Sequence, residues 1–518
     1  MKRRQVFCAV LAAAAGICSA MTAGEPHDGI NDSKGKGVTM NTGISSPVDR
    51  KDATWLLDDA QRKAMNAYCE DYKGYLGIAK TERRAYAEAV RLLEAKGFRA
   101  LASFRKLSPG DKVYRGYHGK TLFAAVVGQS PVSGGVRVVG GHTDSPRIDL
   151  KPVPLMEKNG LAFFDAHYYG GLKKFQWLVR PLALYGTVVK PDGSKVEIAV
   201  GDQPDDPVFM ITDILPHFGK EQAEKPVREV IPADDLDLLI GSVPCPDDKE
   251  DAKDSVKKHI LQLLEKTYGI TEADFASGEL EIVPAGKPRD LGFDRSMILG
   301  YGQDDRVCAY AGLKALLDVE GVPEQTCIVL LCDKEEIGSV GATGMDSTFF
   351  VNSIAELIER QEAEPRDIHV RRALEASRML SADVCAAADP HFPDADSPNN
   401  MARFNAGPCI IKYTGAGGKS GANDARAEYI ADLRRVFDAA GVVWQIGELG
   451  KAEKGGGGTI AKFMAYYGMD VVDMGTPLLN MHAPAEVSSK LDAYMTYRAY
   501  HAFFTGRNAT AEKPGASR

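Results

Sequence analysis

The sequence predicts an α/β sandwich built around a mostly parallel β-sheet. Short apolar runs alternate with segments of helical periodicity after residue 299, which is typical of parallel strands joined by crossover helices. One apolar run at 328–332 has the continuous character of a strand buried on both faces. The charged stretch 333–336 follows it directly, where open α/β sheets carry their chemistry.

The first half of the chain shows two amphipathic segments, a hairpin and a short strand. Gly97 ends the second helical segment, and a Gly-rich turn at 116–119 divides the hairpin. The predicted elements are helices over 54–76 and 81–96, a hairpin over 112–127 and a strand over 136–140.

Between residue 161 and about 283 the pattern changes, and we predict an inserted β-rich domain there. Strands flank the turn at 191–193, and a helix is predicted over 254–268. After residue 299 the elements alternate again. They are helices over 305–317, 347–362, 424–440, 459–467 and 485–504, and strands over 328–332, 379–382, 409–413, 442–446 and 471–474.

Length and composition bound the class of protein. A chain of 518 residues can form one large domain with an insert, or two to three domains. With 26% charged and 44% apolar residues the composition is that of a soluble globular protein. A net charge of −8 argues against nucleic acid as a partner, because nucleic-acid binding requires a basic surface.

The N-terminus predicts export. Residues 1–23 combine a basic start, an apolar segment too short to span a membrane, and small residues, as in a secretory signal peptide. Residues 24–50 have the composition of a disordered leader. We therefore predict a periplasmic or secreted protein. The alternative is a cytoplasmic one, because the seven cysteines beyond the signal are odd in number and predicted to be buried free thiols.

Histidines and carboxylates follow several of the predicted strands or open helices. Each alone has an ordinary explanation: an acidic turn, charges complementing a helix dipole, or a core histidine. Together they make up the ligand count for two zinc-like ions about 3.5–4 Å apart. The candidates are His142 with its neighbour Asp144, Asp304, Glu335 with Glu336, Asp383 and His482.

These residues lie in motifs that closely resemble the dinuclear zinc aminopeptidases of the aspartyl aminopeptidase/aminopeptidase I family. The resemblance extends from about residue 55 to 504. The motifs are, in order, GGHTDSPR, GQDDRVCAYAGLKAL, CDKEEIGSVGATG, SADVCAAADPHF and LNMHAPAE.

The resemblance implies a role for each residue. His142 and Asp383 would hold one metal ion, Glu336 and His482 the other, and Asp304 would bridge them. Glu335 would be the general base, and Asp144 would orient His142.

The resemblance also implies a three-layer zinc-peptidase sandwich formed by residues 51–155 and 285–518, with 156–284 as a dimerisation domain. The resemblance further implies that twelve subunits assemble into a hollow shell. The family further implies that His217 enters the active site of a neighbouring subunit. The alternative for His217 is a partly buried histidine at the end of a short element.

Three further residues are candidates for substrate binding. Gly458 and Thr459 belong to a Gly-rich turn that lines the cleft in the family. Lys412 resembles a position near the pocket for the N-terminal side chain, although a lysine at a strand end is often simply solvated. The Gly-rich turn that contains Gly458 and Thr459 lacks the GK[ST] sequence of phosphate-binding loops, so we predict no nucleotide cofactor.

The sequence thus predicts an aminopeptidase that uses two zinc ions per subunit, with cobalt or manganese as possible substitutes, on peptides with a free N-terminus. One alternative is a related co-catalytic zinc amidohydrolase or carboxypeptidase. Another is a binding or scaffold protein in which catalysis has lapsed, and the intact Glu335 argues against it. The sequence does not indicate whether acidic or neutral N-terminal residues are preferred.

Overall fold

The computed structural model describes residues 52–249, 252–395, 397–415, 417–453 and 455–506. The predicted signal peptide and leader lie outside these residues. Within them the chain is a mixed α/β protein, as predicted, with its strands in three sheets.

The strands are numbered in chain order: β1 (Arg99–Ala100), β2 (Lys112–Tyr117), β3 (Thr121–Val126), β4 (Arg137–His142), β5 (Arg147–Lys158), β6 (Leu161–Tyr169), β7 (Leu182–Val189), β8 (Lys195–Val200), β9 (Leu238–Gly241), β10 (Gly278–Pro284), β11 (Arg289–Leu291), β12 (Met297–Gly300), β13 (Cys327–Cys332), β14 (Arg378–Ser381), β15 (Cys385–Ala386), β16 (Cys409–Ile411), β17 (Gln445–Gly447), β18 (Asp470–Gly475), β19 (Pro477–Leu479) and β20 (Glu486–Ser489).

The α-helices are α1 (Asp59–Ile78), α2 (Glu82–Ala95), α3 (Lys220–Ala223), α4 (Ser255–Tyr268), α5 (Gln303–Leu317), α6 (Phe349–Gln361), α7 (Asp367–Glu375), α8 (Ala427–Ala439), α9 (Ala461–Ala465) and α10 (Lys490–Thr505). Their starts follow local chemistry where caps are present. At α1, for example, Asp58 and Gln61 form a capping box that satisfies two backbone N–H groups.

The largest sheet has nine strands in the order β1-β2-β3-β13-β4-β14-β18-β16-β17. Its centre, β13-β4-β14-β18, is parallel, whereas β3 pairs with β13 and β16 with β18 in antiparallel fashion. The predicted strand 328–332 is the fully buried β13 at this centre. Parallel central strands bring their carboxyl ends to one edge, which is where the candidate residues lie.

Helices cover both faces of the nine-stranded sheet. Because side chains alternate along a strand, Leu122 and Ala124 of β3 pack with α5 and α10. Their neighbours Phe123 and Ala125 pack on the opposite face with α6 and α7. Both faces are apolar, which explains why these strands read as continuous apolar runs.

A six-stranded antiparallel sheet, in the order β8-β7-β10-β5-β6-β9, is built from strands that lie between residues 147 and 284. It has its own apolar core, which includes the fully buried Trp177 and Ile282. β5 begins five residues after His142, so this sheet starts close to the candidate site.

The prediction of one helix over 485–504 is wrong at its start. Glu486–Ser489 is strand β20, which pairs with β12 and β19 in a five-stranded sheet. The helix α10 begins only at Lys490, where the Ser489 hydroxyl accepts hydrogen bonds from two backbone N–H groups. The strand was missed because its partner β12 lies almost 200 residues earlier and is too short to show periodicity.

The seven cysteines of the described residues are free and buried, as predicted. Among the described residues, no helix combines the length and apolar character needed to cross a bilayer.

Candidate metal centre

The carboxyl ends of β13, β4 and β14 gather the candidate residues at one edge of the sheet. His142 is the last residue of β4 and lies opposite Cys332, three residues before Glu335. On the other side of β4, Ser381 of β14 pairs with Gly140, which places Asp383 beside His142. Asp304 joins them from the first turn of α5.

Two sets of three potential ligands share one residue. The first set is His142, Asp304 and Asp383, and the second is Asp304, Glu336 and His482. Within each set the ligand atoms lie within 4.8 Å of one another. His142 Nε2 is 3.3 Å from Asp304 Oδ1, and His482 Nε2 is 3.3 Å from Asp304 Oδ2. The two oxygens of Asp304 therefore face different imidazoles.

The electrostatics of these residues suit bound cations. Asp304 Oδ1 and Glu336 Oε1 are buried and accept no hydrogen bond from any described residue. Burial raises the pKa of Glu336 and of Asp383 well above the usual range, and that of Glu335 to about 7. Carboxyl groups so crowded cannot all ionise without a positive partner. Imidazole nitrogens with carboxylate oxygens are ligands that zinc accepts, so the residues fit that metal.

Asp144 contacts His142 and also holds the loop that carries the two glutamates. The Asp144 backbone carbonyl lies 3.0 Å from His142 Nδ1, closer than the 3.4 Å of its carboxylate. The carboxylate accepts hydrogen bonds from the backbone N–H groups of Glu335 (3.1 Å) and Glu336 (3.2 Å). It also accepts one from the Tyr169 hydroxyl, at 2.9 Å. Asp144 therefore positions the loop that carries both glutamates as well as His142.

His482 is oriented by two partners that the sequence did not reveal. Its Nδ1 lies 2.8 Å from the Gly171 carbonyl, which leaves Nε2 free to face Asp304. Its backbone N–H donates to Glu486 Oε1 at 2.9 Å, and Glu486 Oε2 accepts from the Asp304 N–H. Tyr169 ends β6 and Gly171 follows two residues later, so this end of the six-stranded sheet contacts His482 directly and reaches His142 through Asp144.

The candidate ligands open into a cleft of about 480 Å³, a size typical of sites for small ligands. Part of its wall is apolar, with Val384, Leu449, Phe463 and Met481. The turn at 456–459, which contains the predicted Gly458 and Thr459, lines another part of the cleft.

Lys412 is not among the described residues that line the cleft, and its predicted place near the substrate stays a prediction. Its neighbour Ile411, at the end of β16, lines the cleft. Successive side chains of an extended chain point to opposite sides, so the Lys412 side chain points away from the cleft. Its Nζ lies 3.9 Å from Asp424 Oδ1. The cation that lines the cleft is Lys462 of α9, which the sequence analysis missed because it lies on a short helix after the Gly-rich turn.

His217 is exposed and does not line the cleft of its own chain among the described residues. Exposed apolar side chains surround it, with Phe218 72% and Leu215 47% exposed. The predicted role in a neighbouring subunit stays a prediction.

An α/β sheet with two adjoining histidine–carboxylate sets, and a further glutamate in the same cleft, defines a metal-dependent hydrolase. Comparison with known proteins identifies the particular family. The model of the aminopeptidase I zinc metalloprotease family, peptidase family M18, matches residues 75–504. The chain belongs to this family.

Individual relatives agree. A probable M18 family aminopeptidase 1 of Clostridium acetobutylicum is 48% identical over 457 residues, covering 88% of this chain and 97% of the relative. The crystal structure of an M18-family aminopeptidase from Thermotoga maritima matches with a TM-score of 0.84 and 42% identity, covering 88% of this chain and 99% of that one. Aminopeptidase I from Clostridium acetobutylicum matches with a TM-score of 0.81 and 46% identity, over 88% of this chain and 99% of that one. The chain is therefore a zinc metalloaminopeptidase, a hydrolase of peptide bonds, as predicted.

Proposed function

We propose that each subunit uses two zinc ions to remove N-terminal residues from peptides with a free amino terminus. The observation that carries the proposal is the pair of ligand sets that share Asp304, each within 4.8 Å. His142 and Asp383 would hold one ion and Glu336 and His482 the other. Cobalt or manganese would fit the same ligands, because geometry and availability select the metal as much as affinity does.

Zinc supplies an activated water and a Lewis acid for the scissile carbonyl. Glu335 is the base in this proposal. Its Oε2 lies 4.0 Å from His142 Nε2, it lines the cleft, and it belongs to neither ligand set. The carboxylate takes a proton from the attacking water and passes it to the leaving amine.

The cleft would hold the substrate between an apolar wall and the Gly-rich turn. Gly456, Gly457 and Gly458 lack side chains, so a peptide backbone can approach the turn closely. The carboxylates of the cleft attract the α-ammonium group, which favours peptides with a free amine.

We further propose that the chain forms a homo-oligomer of twelve subunits. In it, the nine-stranded sheet with its helices is a three-layer zinc-peptidase sandwich, and residues 156–284 form a dimerisation domain. The exposed apolar side chains of Ile214, Leu215 and Phe218 support this, because such clusters are usually buried against a partner. His217 lies within this cluster and would reach the partner's cleft.

The composition of residues 1–23 supports export to the periplasm or beyond, with a cytoplasmic location as the alternative. Mass spectrometry of the mature N-terminus after cell fractionation tests this. A mature chain that begins near residue 21 to 24 is expected, and an intact N-terminus in the cytoplasm would contradict export.

The function is tested with a matched substrate panel. Leucyl and aspartyl para-nitroanilides should be hydrolysed, and their N-acetylated forms should not, because acetylation removes the charge of the amine. Prolonged chelation should abolish the activity, and zinc should restore it. Hydrolysis of the acetylated forms would favour an amidohydrolase, and no hydrolysis of any peptide by the zinc-loaded protein would favour a lapsed enzyme.

A further inference from the structure

We propose that this chain has a second ligand site, which binds a small oxyanion of the phosphate, sulfate or carboxylate class at Arg180. The site is a cavity of about 190 Å³ between the six-stranded sheet and the loop that follows His482. Among the described residues, no acidic side chain lines the cavity, and four basic ones do: Lys80, Arg180, Lys287 and Arg289.

Arg180 is the centre of the site. Its Nε is buried and has no hydrogen-bond partner among the described residues, and no carboxylate among them forms an ion pair with its guanidinium. Burial lowers the pKa of Arg180, which reflects the cost of removing the cation from water. Buried polar groups in proteins nearly always have a partner, so this unpaired nitrogen calls for one. A planar guanidinium binds an oxyanion through two parallel hydrogen bonds.

Lys80 has a different task in the cavity. It is buried and donates to the carbonyls of Pro284 and Gly286, both at 2.7 Å, and lies 3.2 Å from Asp202. Asp202 thus neutralises Lys80 and leaves the remaining three cations without an acidic partner among the described residues. The Lys80 bonds hold the chain at 284–286 in place as one wall of the cavity.

Lys287 and Arg289 are exposed and flank the opening, so they add positive charge without closing it. The carboxylate of the adjacent Asp290 is paired with Lys73, Lys490 and Arg295 instead. An anion that enters the cavity therefore meets the positive charges of Lys287 and Arg289 at its edge. No carboxylate among the described residues lines the cavity. The positive electrostatic potential of these side chains concentrates anions near the cavity and raises their rate of association.

The volume narrows the class of ligand. About 190 Å³ is below the roughly 300–1,000 Å³ of sites that take drug-sized molecules. It exceeds several times the roughly 30 Å³ occupied by one water molecule in the liquid. A tetrahedral oxyanion with part of its hydration shell fits between these limits.

The cavity is lined by neighbours of the metal-centre residues in sequence, but among the described residues it shares no lining residue with the catalytic cleft. Pro484 and Ala485 line it, and they lie between His482 and Glu486. Tyr301 forms another part of the lining, three residues before Asp304. A bound oxyanion would thus support, from behind, the two segments that carry His482 and Asp304.

The test uses sulfate as the probe on the full-length, zinc-loaded protein. Sulfate is titrated by calorimetry and by thermal unfolding, with sodium chloride added to keep the ionic strength constant, because salt alone screens surface charges. We expect saturable binding to the wild type and an increase in melting temperature. Arg180→Gln should weaken binding at least about tenfold, which is the usual effect of losing a charge-assisted hydrogen-bond pair.

Two further variants keep the test decisive. Arg289→Gln changes an exposed rim residue that the fold does not need, and it should weaken binding about twofold to fivefold, the range of exposed ion pairs. Lys462→Gln removes the cation of the catalytic cleft and should leave sulfate binding at wild-type affinity. A selenate-soaked crystal should show anomalous density beside Arg180.

Three results would overturn the proposal. The first is wild-type sulfate affinity in folded, zinc-containing Arg180→Gln. The second is loss of binding in Lys462→Gln, which would place the anion in the catalytic cleft. The third is a thermal shift no larger than that produced by sodium chloride of equal ionic strength.

Discussion

The Tyr169 hydroxyl donates a 2.9 Å hydrogen bond to Asp144, so a residue of the six-stranded sheet directly contacts the support of the metal centre. Two residues later, the Gly171 carbonyl lies 2.8 Å from His482 Nδ1. One short segment therefore contacts both His482 and the residue that supports His142.

Tyr169→Phe should weaken zinc binding by roughly tenfold, because it removes one hydrogen bond to a charged carboxylate and loosens an outer-shell contact of the ligands. The measurement is competition for zinc with a chromophoric chelator. The matched control is Tyr185→Phe, which breaks a similar Tyr–Asp hydrogen bond to Asp202 in the same sheet, away from the candidate ligands. Equal zinc affinities in the two variants would show that Tyr169 has no role in metal binding.

Glu335→Gln and Glu336→Gln should differ in kind. Glu335→Gln should keep both metal ions and lose activity roughly 100- to 10,000-fold, because glutamine cannot accept the proton. Glu336→Gln should instead lower the zinc content, since this carboxylate belongs to a ligand set. Elemental analysis of the zinc content and measurement of kcat for each variant distinguish these outcomes. The reverse result would exchange the roles of the two glutamates.

Removal of the metal should make stability depend on pH. Burial raises the pKa of Glu335 from 4.5 to about 7, so the folded metal-free protein binds more protons than the unfolded chain between these values. The contribution of Glu335 to stability is then fully present below about pH 4.5 and is lost as the pH rises through about 7.

The titration of the His482 imidazole also lowers the stability of the metal-free protein as the pH rises. Burial alone would lower its pKa, but Asp304 and Glu336 raise it from 6.5 to about 10, so stability falls further above pH 6.5. Melting temperatures between pH 5 and 9 should therefore fall more steeply for the chelated protein than for the zinc-loaded one. Metal-free Glu335→Gln should show a shallower decline, and parallel curves for the metal-free and loaded wild type would contradict the prediction.

Lys462, and not Lys412, should influence the choice of N-terminal residue. Lys462→Met keeps the apolar stem beside Phe463 but removes the charge, so KM for aspartyl substrates should rise about twofold to fivefold relative to leucyl ones. Lys412→Met is the matched control and should leave that ratio unchanged. If Lys412→Met shifts the ratio and Lys462→Met does not, the original sequence prediction is right and the cleft geometry misleads.

His217 is tested by subunit exchange. His217→Ala and Glu335→Gln should each be inactive, because an oxyanion donor contributes about 3–4 kcal/mol and a base still more. If His217 acts in the partner's cleft, mixed dimers regain one complete site and part of the wild-type activity. A fully active His217→Ala, or exchanged mixtures that stay inactive, would leave His217 as an ordinary surface histidine.

The central fold could be predicted because its signals are local. Strand β13 reads as a continuous apolar run since both of its faces are covered, and helices such as α4 and α6 show clear periodicity. The grouping of His142 with the loop after β13 follows from parallel neighbours ending at one edge. Short strands such as β12 and β20 carry no such signal, because they depend on partners distant in the chain.

The residues that support the site were harder to find. The contact of Gly171 with His482 uses a backbone carbonyl, which no side-chain pattern reveals. Ile411 lines the cleft and Lys412 does not among the described residues, because a shift of one residue along an extended chain reverses the side on which a side chain lies. Tyr169 and Glu486 gave no signal either, because Tyr169 is 25 residues from Asp144 and Glu486 is 182 residues from Asp304.

The reach of β6 into the metal centre limits how the enzyme can be redesigned. Residues 156–284 look like a removable module, since they form most of a separate sheet with its own core. Excision would nevertheless delete Tyr169 and Gly171, so Asp144 would lose the hydrogen bond from Tyr169 and His482 the contact of its Nδ1 with the Gly171 carbonyl. A miniaturised enzyme would have to retain residues 169–171, placed in the loop that joins residue 155 to residue 285.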